Sequence, residues 1–206
     1  MSIWARIQSG TVVELTSHDP DGRYHPDLAW VAVPAEWEQL VAPRCRYVSG
    51  AFRPPLAHGA DGQPLETDDM GWLAAQAIQG VRSFAAEARI RAAGTSDPVE
   101  IASWAAKEAM AKRHQAAAST ADDDAALQAE ADLRSSTVPD LVDLILVKAA
   151  AYKLAAGKIQ GWQRQAETLI ATEVAASNPS ALVLGLATLK AQATAELETL
   201  LQQLQS

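Results

Sequence analysis

The chain has 206 residues, 49% of them apolar and 20% charged, and a formal net charge of −8. That balance supports a packed core and excludes general disorder, while the acidic excess excludes a surface built to bind nucleic-acid phosphates. No run of about 18 apolar residues predicts a membrane span, the N-terminus lacks a signal-peptide pattern, and the single cysteine, Cys45, excludes an internal disulfide framework.

Composition changes near residue 65. Residues 1–64 hold seven of the ten prolines, six of the eleven aromatic residues and three of the four histidines, whereas alanine concentrates in 65–206. The shift predicts an α+β chain. A small β module occupies residues 1–55, followed by a linker over 56–66, a helical region over 67–135 and a long antiparallel helical hairpin over 136–206.

In the first part, Ile3–Ile7 and Thr11–Leu15 flank Ser9-Gly10 and predict a β-hairpin. Asp19-Pro20-Asp21-Gly22 is turn chemistry. Leu28–Val33 is the next strand, stopped by Pro34, and Glu36–Val41 predicts one helical turn. Arg46–Val48, Ser49-Gly50 and Ala51-Phe52 predict a last short hairpin. About 55 residues is marginal for independent stability, so this module is expected to lean on a neighbour. The Gly/Pro density of Pro54–Pro64 forbids a continuous helix or strand there.

Helices follow. Thr67-Asp68-Asp69 places acidic residues at a helix start, and Leu73, Ala77, Val81, Phe84 and Ala88 share one face. Asp97-Pro98-Val99-Glu100 starts a second helix, with Asp as N-cap and Pro in the first position. Asp122-Asp123-Asp124 falls in the first turn of a short third helix. From Leu141 onward, Ile145, Lys148, Tyr152, Ala155, Ile159, Trp162, Ala166 and Leu169 keep a seven-residue repeat. Asn178-Pro179 starts a final helix, with a stripe through Leu182, Leu186, Leu189, Ala193, Leu197, Leu200 and Leu204. The two last helices are expected to pair antiparallel.

Catalytic motifs are missing from the sequence: there is no phosphate-binding glycine loop, no HExxH, no CxxC and no Gly-x-Ser-x-Gly elbow. His18, Asp19, His25 and His58 have metal-ligand chemistry but no familiar ligand spacing, and read as turn and surface residues. Cys45, between Arg44 and Arg46, would have a lowered pKa if exposed. It reads instead as a half-buried strand residue. The Asp122–Asp124 run lacks the alternating ligands of a calcium loop and reads as charge at a helix start. No catalytic, cofactor-binding or metal residue is assigned, and no cofactor or enzymatic activity is expected.

One resemblance is visible. Trp4-Ala5-Arg6-Ile7, Gly10–Leu15, Tyr24-His25-Pro26, Trp30-Val31 and Tyr47–Pro55 together resemble a small module at the start of many tailed-bacteriophage tail proteins. Leu141-Val142-Asp143, Lys148, Tyr152, Ala155–Gly161 and Arg164–Glu167 resemble a helical segment of the same proteins. The resemblance covers about half the chain; residues 65–135 carry no recognisable motif. It implies a structural protein of the phage virion, at the tail baseplate, hub or fibre attachment, made in the bacterial host cytoplasm. Its partners would be other tail, baseplate or fibre proteins. The alternative is a tail-fibre assembly chaperone absent from the mature particle.

Interface candidates follow from this reading. Trp30 and Phe52 represent the β module, and Tyr152, Ile159 and Trp162 lie on the heptad seam. Leu186, Leu189, Leu197 and Leu200 lie on the leucine stripe. Leu144, Val147, Leu154, Ile170 and Val174 fall off the seam, and two helices cannot cover them all, so a homo-oligomer is expected. The resemblance favours a trimer.

Overall fold

Alternation in the first 55 residues becomes a five-stranded antiparallel sheet in the computed structural model, which describes residues 2–203. The chain is an α+β fold, 58% helical and 14% strand, with the sheet first and five helices after it. Strands β1 (Trp4–Gln8), β2 (Thr11–Thr16), β3 (Ala29–Ala32), β4 (Arg46–Val48) and β5 (Ala51–Arg53) lie in the order β3-β1-β2-β4-β5. The β1–β2 turn places Ser9 and Gly10 at φ 50° and 72°, and the β4–β5 turn places Ser49 and Gly50 at 51° and 85°. Two successive positive φ values match the right-handed twist of a tight hairpin. Residues 35–40 form successive turns that Val41 closes by donating its N–H to the Trp37 carbonyl.

Residues 56–66 are not an open linker. They build most of a second hairpin, β6 (Leu56–His58) with β7 (Pro64–Asp68). Gly62 takes φ 77°, the Asp61 carboxylate accepts the Gln63 N–H, and Gly59 donates to the Gln63 carbonyl. The same Gly, Asp and Pro that suggest a linker supply this turn. Asp68 consequently belongs to a strand rather than to a helix start. Asp69 alone caps α1 (Met70–Ala93), accepting the Trp72 N–H at 2.8 Å.

The remaining helices are α2 (Pro98–Gln115), α3 (Ala121–Leu133), α4 (Val138–Ala175) and α5 (Pro179–Gln203). Asp97 caps α2, and Thr120 forms a reciprocal capping box with Asp123 at α3. Ala117, Ser135 and Ser177 take left-handed φ values after α2, α3 and α4, each with the paired hydrogen bonds of a Schellman turn. Among the described residues, glycine takes the left-handed position at a helix end only after α1, at Gly94.

Two compact units result. One comprises residues up to Phe84 together with Trp162–Ala193; the other comprises Ala85–Gly161 together with residues from Thr194 onward. Neither follows the compositional boundary at residue 65. In the first unit, Ala5, Val12, Cys45 and Phe52 of the β module share one core with Leu73, Ala77, Ile170, Leu182 and Val183. The expected neighbour of the marginal β module is therefore the chain's own α1, α4 and α5. In the second unit, Ala111, Leu127, Ala131, Leu141, Val142 and Ile145 form the core.

The α4–α5 pair is antiparallel: Leu169 lies against Gly185 in the first unit, and Lys158 Nζ meets Glu196 at 3.0 Å in the second. A Cβ at Gly185 would come within 2.7 Å of Leu169 Cδ2, so the glycine is set by close approach. Lys148, predicted on the seam, is exposed, and Ala149 is buried in its place. Gly157 and Gly161 are different: a Cβ at either would meet nothing within 4 Å. Each costs about 1 kcal/mol relative to alanine in a helix interior, with no compensating contact from within the chain.

Candidate functional site

The nine interface candidates divide by burial. Phe52, Ile159 and Leu197 are fully buried within the chain and cannot serve as exposed docking residues. Phe52 packs against Tyr47 at 5.1 Å and Trp37 at 6.2 Å between ring centroids. Tyr152, Trp162, Leu186, Leu189 and Leu200 are half-buried. Leu204, the last residue of the predicted stripe, lies outside the described residues. Trp30 sits on the edge strand β3, half-buried, with its ring tilted against Tyr24 at 4.7 Å between centroids and its indole N–H lacking a protein partner. Of the apolar residues placed off the seam, Ile170 is buried and Val174 packs on the first core, while Leu144, Val147 and Leu154 remain exposed.

A cleft in the first unit runs between the 35–40 turns, strand β5 and the start of α5. Trp37, Phe52, Pro54, Val183 and Leu184 make it largely apolar, and Glu36 and Arg53 also line it. Its volume is about 210 Å³, below the roughly 300–1,000 Å³ typical of small-molecule sites. In the second unit, Trp104, Lys107, Glu130 and Leu141 line a void of about 30 Å³. That is the space of a single water molecule, beside a Trp104 indole N–H that has no protein partner.

Sequence reasoning misses the charged groups that organise each unit. Asp68 accepts from Arg46, and its second oxygen accepts from Arg53 at 2.9 Å. Arg46 and Arg53 are direct cross-strand partners, so two like charges face each other and Asp68 neutralises them. In the second unit, Lys112 and Lys153 converge on Glu108 at 2.7 and 2.6 Å. Arg113 grips Asp123 with two hydrogen bonds of 2.8 and 2.7 Å. Only Glu108–Lys112 is local, at the i,i+4 spacing of one helix; the other partners lie 10 to 45 residues apart, and no local motif announces them.

These pairs set a pH response. Hydrogen bonds from Lys112 and Lys153 hold the Glu108 carboxyl below the ordinary carboxylate range. Arg113, then the Thr120 backbone, does the same to Asp123, and Ser119 with His114 to Asp124. Groups whose folded pKa is depressed stabilise the fold above their unfolded pKa and lose that contribution as pH falls through the folded value. Unfolding free energy from urea titrations is therefore expected to be flat between about pH 5 and pH 8 and to fall progressively below about pH 4. The Asp123→Asn variant should show a shallower fall.

Cys45 is buried rather than exposed between its arginines. Burial pushes its thiol up to about 11, against a hydrogen bond with the Ala42 backbone that lowers it, so it is a poor nucleophile at neutral pH. His18, His25 and His58 are exposed. Among the described residues, no group of three or more His, Cys, Asp or Glu is placed to hold a metal ion. Asp122–Asp124 sit in the first turn of α3, as charge at a helix start requires. Among the described residues, no helix is long and apolar enough to cross a membrane. Comparison with family models, curated proteins and solved structures gives no match to this chain.

Proposed function

We propose that the chain is a structural component of a tailed-phage virion, at the baseplate, hub or fibre attachment, acting by protein–protein assembly and not by catalysis. The observation that carries this reading is the coincidence of the resembling segments with one folded element. Trp4–Ile7, Thr11–Leu15, Trp30-Val31 and Tyr47–Arg53 fall on β1, β2, β3 and the β4–β5 hairpin of a single sheet, while Tyr24-His25-Pro26 lies in the turns before β3. The sheet ends in edge strands β3 and β5, and edge strands are able to pair with a further chain.

Mass spectrometry of purified phage particles from a host carrying the gene tests the reading. Peptides of this chain should co-purify with tail proteins. Their absence from particles, with presence in the infected-cell lysate, would favour the tail-fibre chaperone instead. Hydrolysis of cell-wall material by the purified chain would overturn the non-enzymatic assignment.

A further inference from the structure

The outward face of α4 in the second unit is apolar and uncovered. Val147 is 62% exposed, Leu154 56% and Leu144 40%. With Ala150 and Ala151 between them, they recur at helical spacing along one side. The same side continues into Gly157 and Gly161, where nothing lies within 4 Å of the position a Cβ would take. Two other helix-interior glycines supply the contrast. Gly80 is approached by Gln39 and Gly185 by Leu169, so contacts within the chain account for them. Gly157 and Gly161 instead form a shallow notch that faces outward, at a cost in helix propensity.

We infer that this face pairs antiparallel with the same face of a second copy, about a two-fold axis near Ala150 and Ala151. The charges select this occupant and this direction. The acidic residues Asp140 and Asp143 mark the N-terminal end of the face, and Lys158 marks the other. Antiparallel pairing sets each acidic end against the basic end of the partner, whereas parallel pairing sets like charges together. The register that aligns Asp143 with Lys158 of the second copy also aligns Leu144 with Gly157, and Val147 with Leu154. Large side chains then meet small ones, and apolar meets apolar. Lys158 already meets Glu196 at 3.0 Å within its own chain, so the arriving Asp143 completes a three-charge cluster. This pairing predicts a dimer contact, where the family resemblance favours a trimer. It does not depend on the virion assignment.

Sedimentation equilibrium of the full chain over about 1–100 μM tests the pairing, alongside thermal melting at the dilute end. The Gly157→Ala/Gly161→Ala double variant should melt higher as a monomer yet dimerise about tenfold more weakly. A merely structural role for the glycines would not separate those signs. Leu154→Gln should abolish dimerisation while keeping the monomer's circular dichroism. Asp143→Lys should weaken it, and adding Lys158→Asp should restore it. A monomer at the highest concentration, a trimer, or a dimer unmoved by the glycine and charge variants would overturn the proposal.

Discussion

Truncating Leu197 to alanine is expected to destabilise the fold by about 3 kcal/mol, the middle of the range for a fully buried leucine. The side chain is 1% exposed. Its removal forfeits apolar transfer energy and leaves a cavity that close-packed neighbours fill only in part. Against a total stability of roughly 5–15 kcal/mol, that loss is large. It should also be independent of protein concentration, because the residue is satisfied within its own chain. An interface residue would behave otherwise, since association adds stability by mass action. Leu184 is the control on the same helix: it is exposed, and its alanine variant should stay within about 0.5 kcal/mol of the wild type. Urea titrations at two protein concentrations distinguish the two behaviours.

Replacing Asp68 with alanine is expected to cost about 2 kcal/mol, below the roughly 3–5 kcal/mol for breaking a fully buried pair because its arginine partners reach solvent. The carboxylate is nearly buried, with 8% of its side chain exposed, while Arg46 and Arg53 retain more contact with water. Its loss removes two charge-assisted hydrogen bonds and restores repulsion between directly opposed arginines. The repulsion can be isolated. Adding Arg53→Gln to the alanine variant should recover part of the loss, whereas Arg53→Gln alone should destabilise. A double-mutant cycle with additive effects would contradict the shared three-residue arrangement.

What is legible in the sequence is the local and the periodic. Ser9-Gly10 and Ser49-Gly50 mark tight hairpins because only a few residues accept paired positive φ values. Asp97-Pro98 and Asn178-Pro179 mark helix starts, and both caps are made, to Val99 and Ala181 N–H groups. The seven-residue repeat locates the α4–α5 hairpin but slips at Lys148, because local periodicity cannot report that Ala149 turns inward. The 56–66 segment misleads for a different reason. Gly and Pro in a short stretch describe a hairpin turn as well as a linker, and the β6–β7 pairing that decides between them is separate from the turn itself. Schellman turns at Ala117, Ser135 and Ser177 leave no signature because their usual glycine is absent. The Asp68 cluster and the Lys153 contact to Glu108 depend on distant residues brought together only by folding. Cys45 reads from the sequence as a half-buried strand residue; it is buried, just before β4, and its flanking arginines therefore do not activate it.

The alternating order of the two compact units has consequences on the ribosome. Residues up to Phe84 emerge first, but their unit is completed only by Trp162–Ala193. At about 5–20 residues per second, the nascent N-terminal sheet waits several seconds for the helical segments that finish its core. Its apolar side is exposed during that interval and is available to a chaperone or to premature association. The second unit has already supplied Ala85–Gly161 by then, yet it too needs residues from Thr194 onward. The same order governs proteolysis. No single backbone cut can release one unit whole from the other, so a nick at residues 56–66 would divide the first unit instead of freeing a domain.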